Sequence, residues 1–433
     1  MVLEQFILDL SWDNLPEQTR KTARLCLLDA IGCAVAGNRC EKLSNYSNTI
    51  LKQQNLSQTP LWGTSFKSDL PWAIFFNAHM TAYFDIDDGH RKAQGHPGAI
   101  IVPATLTTAH QLDLSGKNFL EALVVGYELA IRSAQVIRSL GGPRKGSGGW
   151  AIVGAAAAIS RLLGCSPKQA VHAIGLAEYY APQAPQDRSA SFPSEMKEGI
   201  AWGAQTGYSA ALLASSGFTS MRPFLADSPL IEDLGENFEI EKTYFKTYAC
   251  CRWAHPAIDA LKEMLHKHSK PLETICQIRV RTFEKALLMA RRNPTTTMEA
   301  IYSIPYAISS FLIHGQLGPE QLSSDNLFNA DVSTLSQKIN LIEDPELTAL
   351  FPEQCLQQVE VVFKDGTIYL SPILSAKGDP DKPYSKSELV AKFRWLTEET
   401  LGSKWCLIPE LIDELELHPA AKLVSLLSPN RHF

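Results

Sequence analysis

Three stretches of this chain are rich in small side chains at helical spacing, and they constrain the fold more than any other feature. They are residues 119–134, 154–163 and 199–213, and the second begins with Gly154 and four alanines. Small side chains let helix backbones approach closely, so such stretches are typical of the interior of a large helical domain. The first 240 or so residues therefore predict one packed helix after another.

The pattern changes after about residue 270. Residues 275–281 alternate apolar and polar side chains, which is the period of a half-buried strand. Residues 359–370 contain two strand-like runs that are joined at Asp365-Gly366, a dipeptide that favours a tight turn. The second part of the chain is therefore predicted to contain a small sheet with at least one hairpin.

Helices are predicted in this second part as well, over residues 298–312 and after Ser385, where Glu388 completes a capping box. We therefore predict a mainly α fold, in which a large all-helical domain is joined by a smaller α+β domain, or lid. The predicted boundaries are residues 1–265 for the helical domain, 266–400 for the lid and 401–433 for a C-terminal segment that packs back on the helical domain.

The charge and composition exclude some partners. The chain has 433 residues, a net charge of −6 and a pI of about 6.0, whereas binding mainly to nucleic acid needs a basic face. A small anionic substrate is compatible with this balance, because a few cations can cluster in an acidic protein. No stretch reaches the ~18 apolar residues of a membrane span. The nine cysteines contain no CxxC pair, and no leader is evident, so we expect a cytoplasmic protein.

The densest polar cluster spans residues 85–91 and continues through residues 95–98. Its carboxylates and histidines do not follow the spacing of an EF-hand or of an HExxH metal motif. An Asp beside a His favours general acid–base chemistry, since the pairing tunes proton transfer near neutral pH. The alternative interpretation is structural: Asp87 and Asp88 cap the next helix, and His90 is exposed.

Three further clusters each admit two interpretations. Lys197 opens a run of small residues, where it pairs with a substrate carboxylate or is simply solvated. Cys250 and Cys251 precede His255, which fits a Cys–His nucleophile pair or buried structural thiols. Residues 141–149 form a basic, glycine-rich loop before a helix, which either binds an anion or is flexible.

Taken in this order, the clusters resemble the MmgE/PrpD family, which includes 2-methylcitrate dehydratase, cis-aconitate decarboxylase and iminodisuccinate epimerase. The resemblance covers almost the whole chain, from Leu15 to about Leu401. The matching segments are Asp85–His90, His96–Ala99, Pro103-Ala104, Gly154–Ala157, Leu162–Gly164, Met196–Gly199, Ala210–Ala214, Gly217–Thr219, Tyr248–Cys251 with His255, Tyr302–Tyr306, Pro383–Ser385 and Lys392–Arg394.

The resemblance implies a helical domain built from both ends of the chain, an inserted lid, a homodimer, and a site between the two domains without metal or organic cofactor. It also implies small di- and tricarboxylate substrates that lose or move a proton next to a carboxylate. The resemblance points to Asp85, His96, Cys251 and Tyr306 as catalytic residues and to Lys197 and Lys246 as substrate-binding residues. We also predict that Lys145, His90 and Ser147 bind substrate.

Two departures from the family pattern bear on the reaction. Lys145 and Ser147 stand where many members have His and Thr, and Cys251 stands where the decarboxylase has His. These changes disfavour cis-aconitate decarboxylation. They also weaken the inference that this chain has the same dehydratase activity as its family. Lys145 nevertheless adds a cation that suits a multiply charged anionic substrate.

We therefore predict a cofactor-independent lyase, similar to 2-methylcitrate dehydratase, that acts on a small polycarboxylate by abstracting a proton next to a carboxylate. We expect burial beside Tyr83 and Phe84 to raise the pKa of the base Asp85 towards the working pH. The alternatives among enzymes are an epimerase of an iminodisuccinate-like dicarboxylate, with Asp85 and His96 facing Cys251 across the substrate, and a cis-aconitate-type decarboxylase. The alternative outside enzymes is an inactive binding or scaffold protein.

Overall fold

A computed structural model of the chain describes residues 3–54, 58–141, 143–268 and 270–429, so Gly142 of the predicted anion loop and the end of the predicted C-terminal segment lie outside the described residues. Up to residue 268 the helices are α1 (Leu3–Asp9), α2 (Glu17–Gly37), α3 (Leu43–Leu51), α4 (Leu70–Ala82), α5 (Gly98–Gln111), α6 (Gly116–Ser139), α7 (Gly148–Leu162), α8 (Pro167–Tyr180), α9 (Asp187–Ser191), α10 (Ile200–Ser215) and α11 (His255–His268).

The later helices are shorter on average, and the longer strands lie in the same part of the chain. They are α12 (Thr297–Ile301), α13 (Ile304–His314), α14 (Ser324–Leu327), α15 (Ala330–Ser336), α16 (Pro345–Leu350), α17 (Lys386–Leu401), α18 (Leu407–Asp413) and α19 (Ala420–Leu426). The strands are β1 (Thr59–Pro60), β2 (Lys67–Ser68), β3 (Gly89–His90), β4 (Thr243–Tyr244), β5 (Ile275–Thr282), β6 (Ile339–Glu343), β7 (Gln358–Phe363) and β8 (Ile368–Leu370). The prediction of a mainly α fold with a smaller α+β part is confirmed.

The three small-residue stretches lie in α6, α7 and α10, and α7 packs against both of the others in the helical interior. The approach of α7 to α6 is so close that a Cβ added at Gly154 would lie 2.1 Å from the carbonyl oxygen of Gly126. A larger side chain at this crossing would push the two helices apart and open a cavity between them. The physical reason given for these stretches in the sequence is therefore confirmed.

The four-stranded sheet has the order β6-β5-β7-β8, with β5 parallel to β6 and antiparallel to β7. The predicted hairpin at Asp365-Gly366 and the capping box at Ser385 are both present. The single helix predicted over residues 298–312 is wrong, because the chain forms α12 and α13 instead. Ser303 caps α13 and Pro305 lies in its first turn, where proline starts a helix rather than continuing one.

Buried apolar side chains form two cores. The first joins α1, α2 and α5–α8 to the C-terminal helices, and the second joins the sheet to α11–α13. Helix α4 contributes to both, with Ile74 and Ala78 in the first core and Phe76 and Met80 in the second.

The chain returns to the first core through α17, which packs against α2. The boundaries at residues 265 and 400 stay predictions. Among the described residues, no helix is long and apolar enough to cross a membrane.

Candidate active site

The loop after α4 carries Asp85 to the seam between the two cores. From there the chain enters β3, which pairs with β4, so Gly89 lies opposite Tyr244. The two strands approach so closely that a Cβ at Gly89 would lie 2.4 Å from the Tyr244 hydroxyl oxygen. Lys246 follows β4 by two residues. This short pairing is what brings Lys246 beside Asp85.

Two lysines and a histidine meet one oxygen of Asp85. The Nζ atoms of Lys197 and Lys246 each lie 2.9 Å from Asp85 Oδ1, and His96 Nε2 lies 3.3 Å from it. All four side chains are buried. Burial by itself raises the pKa of Asp85, but the charges of Lys197, Lys246 and His96 outweigh it and hold the pKa well below its usual value. The expectation that burial raises this pKa is therefore wrong.

Backbone strain concentrates at the same place. Among the described residues, five that are not glycine have positive φ, and four of them lie here: Asp85 (51°), Gln94 (58°), Lys197 (37°) and Glu198 (58°). Such conformations cost on the order of 1–3 kcal/mol each and persist where the surrounding structure enforces them. Their clustering indicates that the surrounding structure holds these side chains in place at the cost of unfavourable backbone conformations.

The tautomer of His96 is fixed by its backbone partner. His96 Nδ1 lies 2.8 Å from the carbonyl oxygen of Asp88, which can only accept a hydrogen bond, so Nδ1 carries a proton. The Nε2 atom, which faces Asp85, is therefore the position that gains and loses a proton. Burial lowers the pKa of His96, but the carboxylates of Asp87 and Asp85 raise it more, and the net shift is upward.

Asp88 has a structural role. Its Oδ1 accepts a hydrogen bond from the backbone of Gly98, the first residue of α5, at 3.0 Å, and its Oδ2 accepts one from the Tyr127 hydroxyl at 2.6 Å. The interpretation that Asp87 and Asp88 cap the next helix is confirmed for Asp88 only, because Asp87 Oδ2 lies 3.1 Å from His96 Nδ1 instead. The prediction that His90 is exposed is wrong, because His90 is 1% exposed, with Nε2 lying 3.5 Å from Glu239.

A cavity opens in front of Asp85 and His96, between the helical body and the α+β part. Arg91 and Arg252 line it, and both pair with Asp379, at 3.1 and 2.9 Å. Both guanidinium groups lie over the ring of Tyr244. Neither arginine was predicted from the sequence as a site residue, although Arg91 follows His90 and Arg252 follows Cys251, which were.

A wider basic vestibule continues outward from this cavity and shares Arg91 and Arg144 with it. Further basic side chains line the vestibule, against the acidic Glu284 and Glu353, namely Lys92, Arg138, Lys242 and Lys285. The excess of positive charge favours the approach of an anion. The predicted cationic character of the site therefore arises partly from residues that the sequence did not single out.

Cys251 and Ser147 lie at this site in different roles. Cys251 lines the cavity, where burial raises the pKa of its thiol well above the usual value, so it is a neutral thiol. Ser147 accepts a hydrogen bond from the backbone of His96 at 3.0 Å and donates one to Glu198 at 2.6 Å. It therefore holds the His96 loop against the segment that carries Lys197.

Lys145 and Tyr306 are not brought to the cavity, since neither is among the described residues that line it. The charge of Lys145 interacts with that of Glu178. The adjacent Arg144 lines the cavity in place of Lys145. The Tyr306 hydroxyl donates to the carbonyl oxygen of Gln321 at 2.5 Å. Tyr302 lines the cavity instead, with its hydroxyl 3.3 Å from Lys197 Nζ. The sequence signal for it was the matched segment Tyr302–Tyr306.

Asp85, Asp87 and His96 also lie close enough together to suggest a metal site. A divalent cation there would have to displace Lys197 and Lys246 from Asp85 Oδ1, or share the oxygen with them at short range. The donor set therefore fits proton transfer better than metal binding.

A buried carboxylate held by cations, beside a histidine and at the floor of a basic cavity, is an arrangement suited to proton transfer. The models of the MmgE/PrpD N-terminal domain and C-terminal domain match residues 2–231 and 248–414. The chain belongs to the MmgE/PrpD family.

Its relatives include two kinds of enzyme. The cis-aconitate decarboxylase of Aspergillus terreus is 22% identical, over 90% of this chain and 87% of the relative, and that of Mus musculus is 24% identical, over 93% and 88%. The 2-methylcitrate dehydratase of Escherichia coli is 24% identical, over 80% of this chain and 79% of the relative. Decarboxylases and dehydratases are both lyases, so the family resemblance supports lyase activity.

Proposed function

We propose that this protein is a lyase that removes water from a small hydroxylated polycarboxylate, in the manner of 2-methylcitrate dehydratase. The observation that carries the proposal is the contact of Lys197, Lys246 and His96 with one oxygen of Asp85 at the floor of a basic cavity. The names of the relatives support the substrate class, since they act on citrate- or aconitate-like acids.

Asp85 is the proposed base. The carboxylate is ionised at neutral pH because its pKa is held low, and it becomes basic enough to take the proton from the carbon next to a substrate carboxylate when that carboxylate draws Lys197 and Lys246 towards itself. As the C–H bond breaks, the negative charge passes from Asp85 to that substrate carboxylate. Lys197 and Lys246 then stabilise the same amount of negative charge at a neighbouring position, in a site that is already oriented for it.

His96 is the proposed acid. Its raised pKa favours the protonated ring, whose Nε2–H donates a proton to the departing hydroxyl group as the C–O bond breaks. The products are water and an unsaturated acid, with the C–H electron pair in the new double bond. The proton on Asp85 then passes to His96 Nε2 over 3.3 Å, which restores both residues for the next turnover.

Arg91 and Arg252 are the proposed partners of a further substrate carboxylate. A guanidinium group presents paired N–H donors that match a carboxylate. Both arginines now bind Asp379, so a substrate would share them with that side chain or replace it.

The test is an assay of the purified chain with 2-methylcitrate and with citrate, in which the ultraviolet absorbance of the new double bond is followed. The reverse reaction, addition of water to the unsaturated acid, is measured as the loss of the same absorbance. We expect turnover in the native chain and a loss of about 10²–10⁴-fold in His96→Gln, the usual contribution of a positioned acid. His110→Gln, at the end of α5, is the matched control and should retain activity.

Other outcomes identify other reactions. Release of CO₂ from cis-aconitate without dehydration would replace the proposal with decarboxylation. Exchange of the α-proton with deuterated solvent, without net consumption of substrate, would replace it with an epimerase. A folded chain whose melting temperature responds to none of these acids would favour an inactive binding protein.

We also propose that the chain forms a homodimer, as the family resemblance implies. Large apolar side chains are exposed along α8, α10 and the following loop, including Tyr179 (65%), Trp202 (54%) and Phe224 (61%). Exposed apolar patches of this kind commonly mark protein interfaces. Light scattering should give the mass of two chains for the native protein and a mass closer to that of one chain for Trp202→Glu. A native protein with the mass of one chain would contradict the proposal.

A further inference from the structure

A second group of metal-ligating side chains lies outside the proposed active site. Cys40, His79 and Glu195 each offer one donor atom, and the three atoms lie within 4.8 Å of one another. Cys40 follows α2, His79 lies on α4, and Glu195 lies on the segment before α10. Three separate elements therefore converge on one point.

Two of the donors lack the hydrogen bonds that buried polar atoms normally make. His79 is 6% exposed, and its Nε2 has no hydrogen-bond partner among the described residues. Glu195 Oε1 pairs with Lys42 at 3.0 Å, whereas Glu195 Oε2 is buried without a described partner. Buried polar atoms make hydrogen bonds in the great majority of cases, so two buried atoms without a described partner beside one thiol indicate a position that can bind a ligand.

We propose that Cys40, His79 and Glu195 bind a zinc ion. A thiolate, an imidazole and a carboxylate are all common zinc ligands, and three protein ligands leave a fourth position for water. Binding exchanges the thiol proton of Cys40 for the metal, so one proton is released to solvent as the Zn–S bond forms.

The geometry needs a small closure. Zinc bonds of about 2.0–2.3 Å place tetrahedral donors about 3.5 Å apart, so the most distant donors must approach by roughly 1 Å. Glu195 can make this movement, because its side chain is 31% exposed and lies outside the regular helices. The His79 ring is already held by aromatic neighbours, including Phe75, which stacks on it, and Tyr83.

The position of this site gives it a consequence for the active site. His79 precedes Asp85 by six residues on the same helix and loop, and Glu195 precedes Lys197 by two. A zinc ion between His79 and Glu195 would therefore tie together the two segments whose side chains form the Asp85–Lys197 ion pair. Its role is to position these segments, since the site itself lies away from the described cavity lining.

Cobalt(II) is the probe that tests the site, because a cobalt–thiolate bond gives a near-ultraviolet charge-transfer band. After treatment of the full chain with a chelator, we expect one equivalent of Co²⁺ to produce this band and zinc to displace it. The group Asp85, Asp87 and His96 itself contains no sulfur, but the thiol of Cys251 lines the same cavity. If the band comes from Cys40, both His96→Gln and Cys251→Ser should keep it.

Variants assign the band to individual residues. Cys40→Ser should abolish it, and His79→Gln and Glu195→Gln should each weaken cobalt binding at least tenfold; Cys406→Ser, at an exposed thiol, is the control. Glu195→Gln keeps the test decisive if Cys40→Ser fails to fold, since Glu195 is partly exposed. Cobalt binding without the band, or a band unchanged in Glu195→Gln, would overturn the proposal. Zinc should raise the melting temperature of the chelated native chain but not that of Glu195→Gln.

Discussion

Asp85 and Asp88 lie in one loop, three residues apart, and each is 1% exposed, yet their carboxyl groups have opposite pKa shifts. The cations around Asp85 hold its pKa well below the usual value. Burial raises the pKa of Asp88 to about 7, and the nearby Asp29 adds to the shift. The two residues share their burial and differ in their partners.

The difference shows how one loop supplies two kinds of carboxyl group. On the side that faces the cavity, Lys197 and Lys246 keep Asp85 ionised. On the sealed side, Tyr127 and the first turn of α5 hold Asp88 through neutral hydrogen-bond donors, which do not compensate a buried charge fully. Asp88 therefore orients the loop, while Asp85 carries the charge that faces the cavity.

Removing the charge of Asp85 should have the largest effect. In Asp85→Asn the amide still tolerates the left-handed backbone, but Lys197 and Lys246 lose their buried partner. We expect activity to fall by about 10²–10⁴-fold, and the free energy of unfolding to fall by about 3–5 kcal/mol, as for other broken buried ion pairs. The measurements are steady-state kinetics and urea unfolding.

Asp113→Asn is the control, because Asp113 has the same φ of 51° but is exposed. It should leave both quantities unchanged. Activity of Asp85→Asn within a few-fold of the native chain would exclude Asp85 as the base.

Asp88→Asn should act on the pH dependence of stability instead. A folded pKa of about 7 against the ordinary 3.8 means that the folded state holds a proton that the unfolded state has lost. The native chain should therefore lose stability as pH rises from about 4 to about 7, by about 4 kcal/mol in total. The amide of Asp88→Asn cannot ionise, so the variant does not lose this stability. Between pH 5 and pH 8 the free energy of unfolding of the variant should therefore rise relative to that of the native chain. An unchanged difference would show that Asp88 is ionised.

The pH dependence of activity should report His96. Because its pKa is raised and its protonated ring is the proposed acid, kcat/KM should fall as pH rises through a value above 6.5. The low pKa of Asp85 predicts no matching loss on the acid side near neutrality. The residual activity of His96→Gln should lack the alkaline fall. An increase of kcat/KM with pH would instead make His96 the base.

The smallest effect should come from a substitution in the basic vestibule, whose positive charges continue outward from those around Asp85. Arg138→Gln should lower kcat/KM for an anionic substrate several-fold at low salt and have little effect at high salt, since added ions screen exposed charges. Arg222→Gln, at an exposed arginine that pairs with Asp227, is the control. A loss that does not depend on salt would mean that Arg138 supports the structure rather than substrate approach.

Much of the fold follows from local patterns. The small-residue helices, the hairpin at Asp365-Gly366 and the capping box at Ser385 depend on residues close in sequence, which is why they were predictable. The break between α12 and α13 was missed, because apolar periodicity continued across it while Ser303 and Pro305 started a new helix.

The site residues divide along the same line. The cluster from Asp85 to His96 was found because its residues are neighbours in sequence. Arg252 and Asp379 were missed as a pair, since more than a hundred residues separate them. Lys145 was predicted to bind substrate, whereas the adjacent Arg144 lines the cavity. Side chains in an irregular loop do not alternate with a fixed period, so the sequence does not show which of two neighbours faces the cavity.

The sequence by itself determined the family, the helical interior and the chemical types at the site: a carboxylate, an imidazole and several cations. The tertiary structure decided which of these groups meet and in which protonation state. It reversed the expected pKa shift of Asp85, because Lys197 and Lys246 come from segments more than a hundred residues away. A buried carboxyl responds to the charges within a few ångströms of it, and long-range packing alone places those charges.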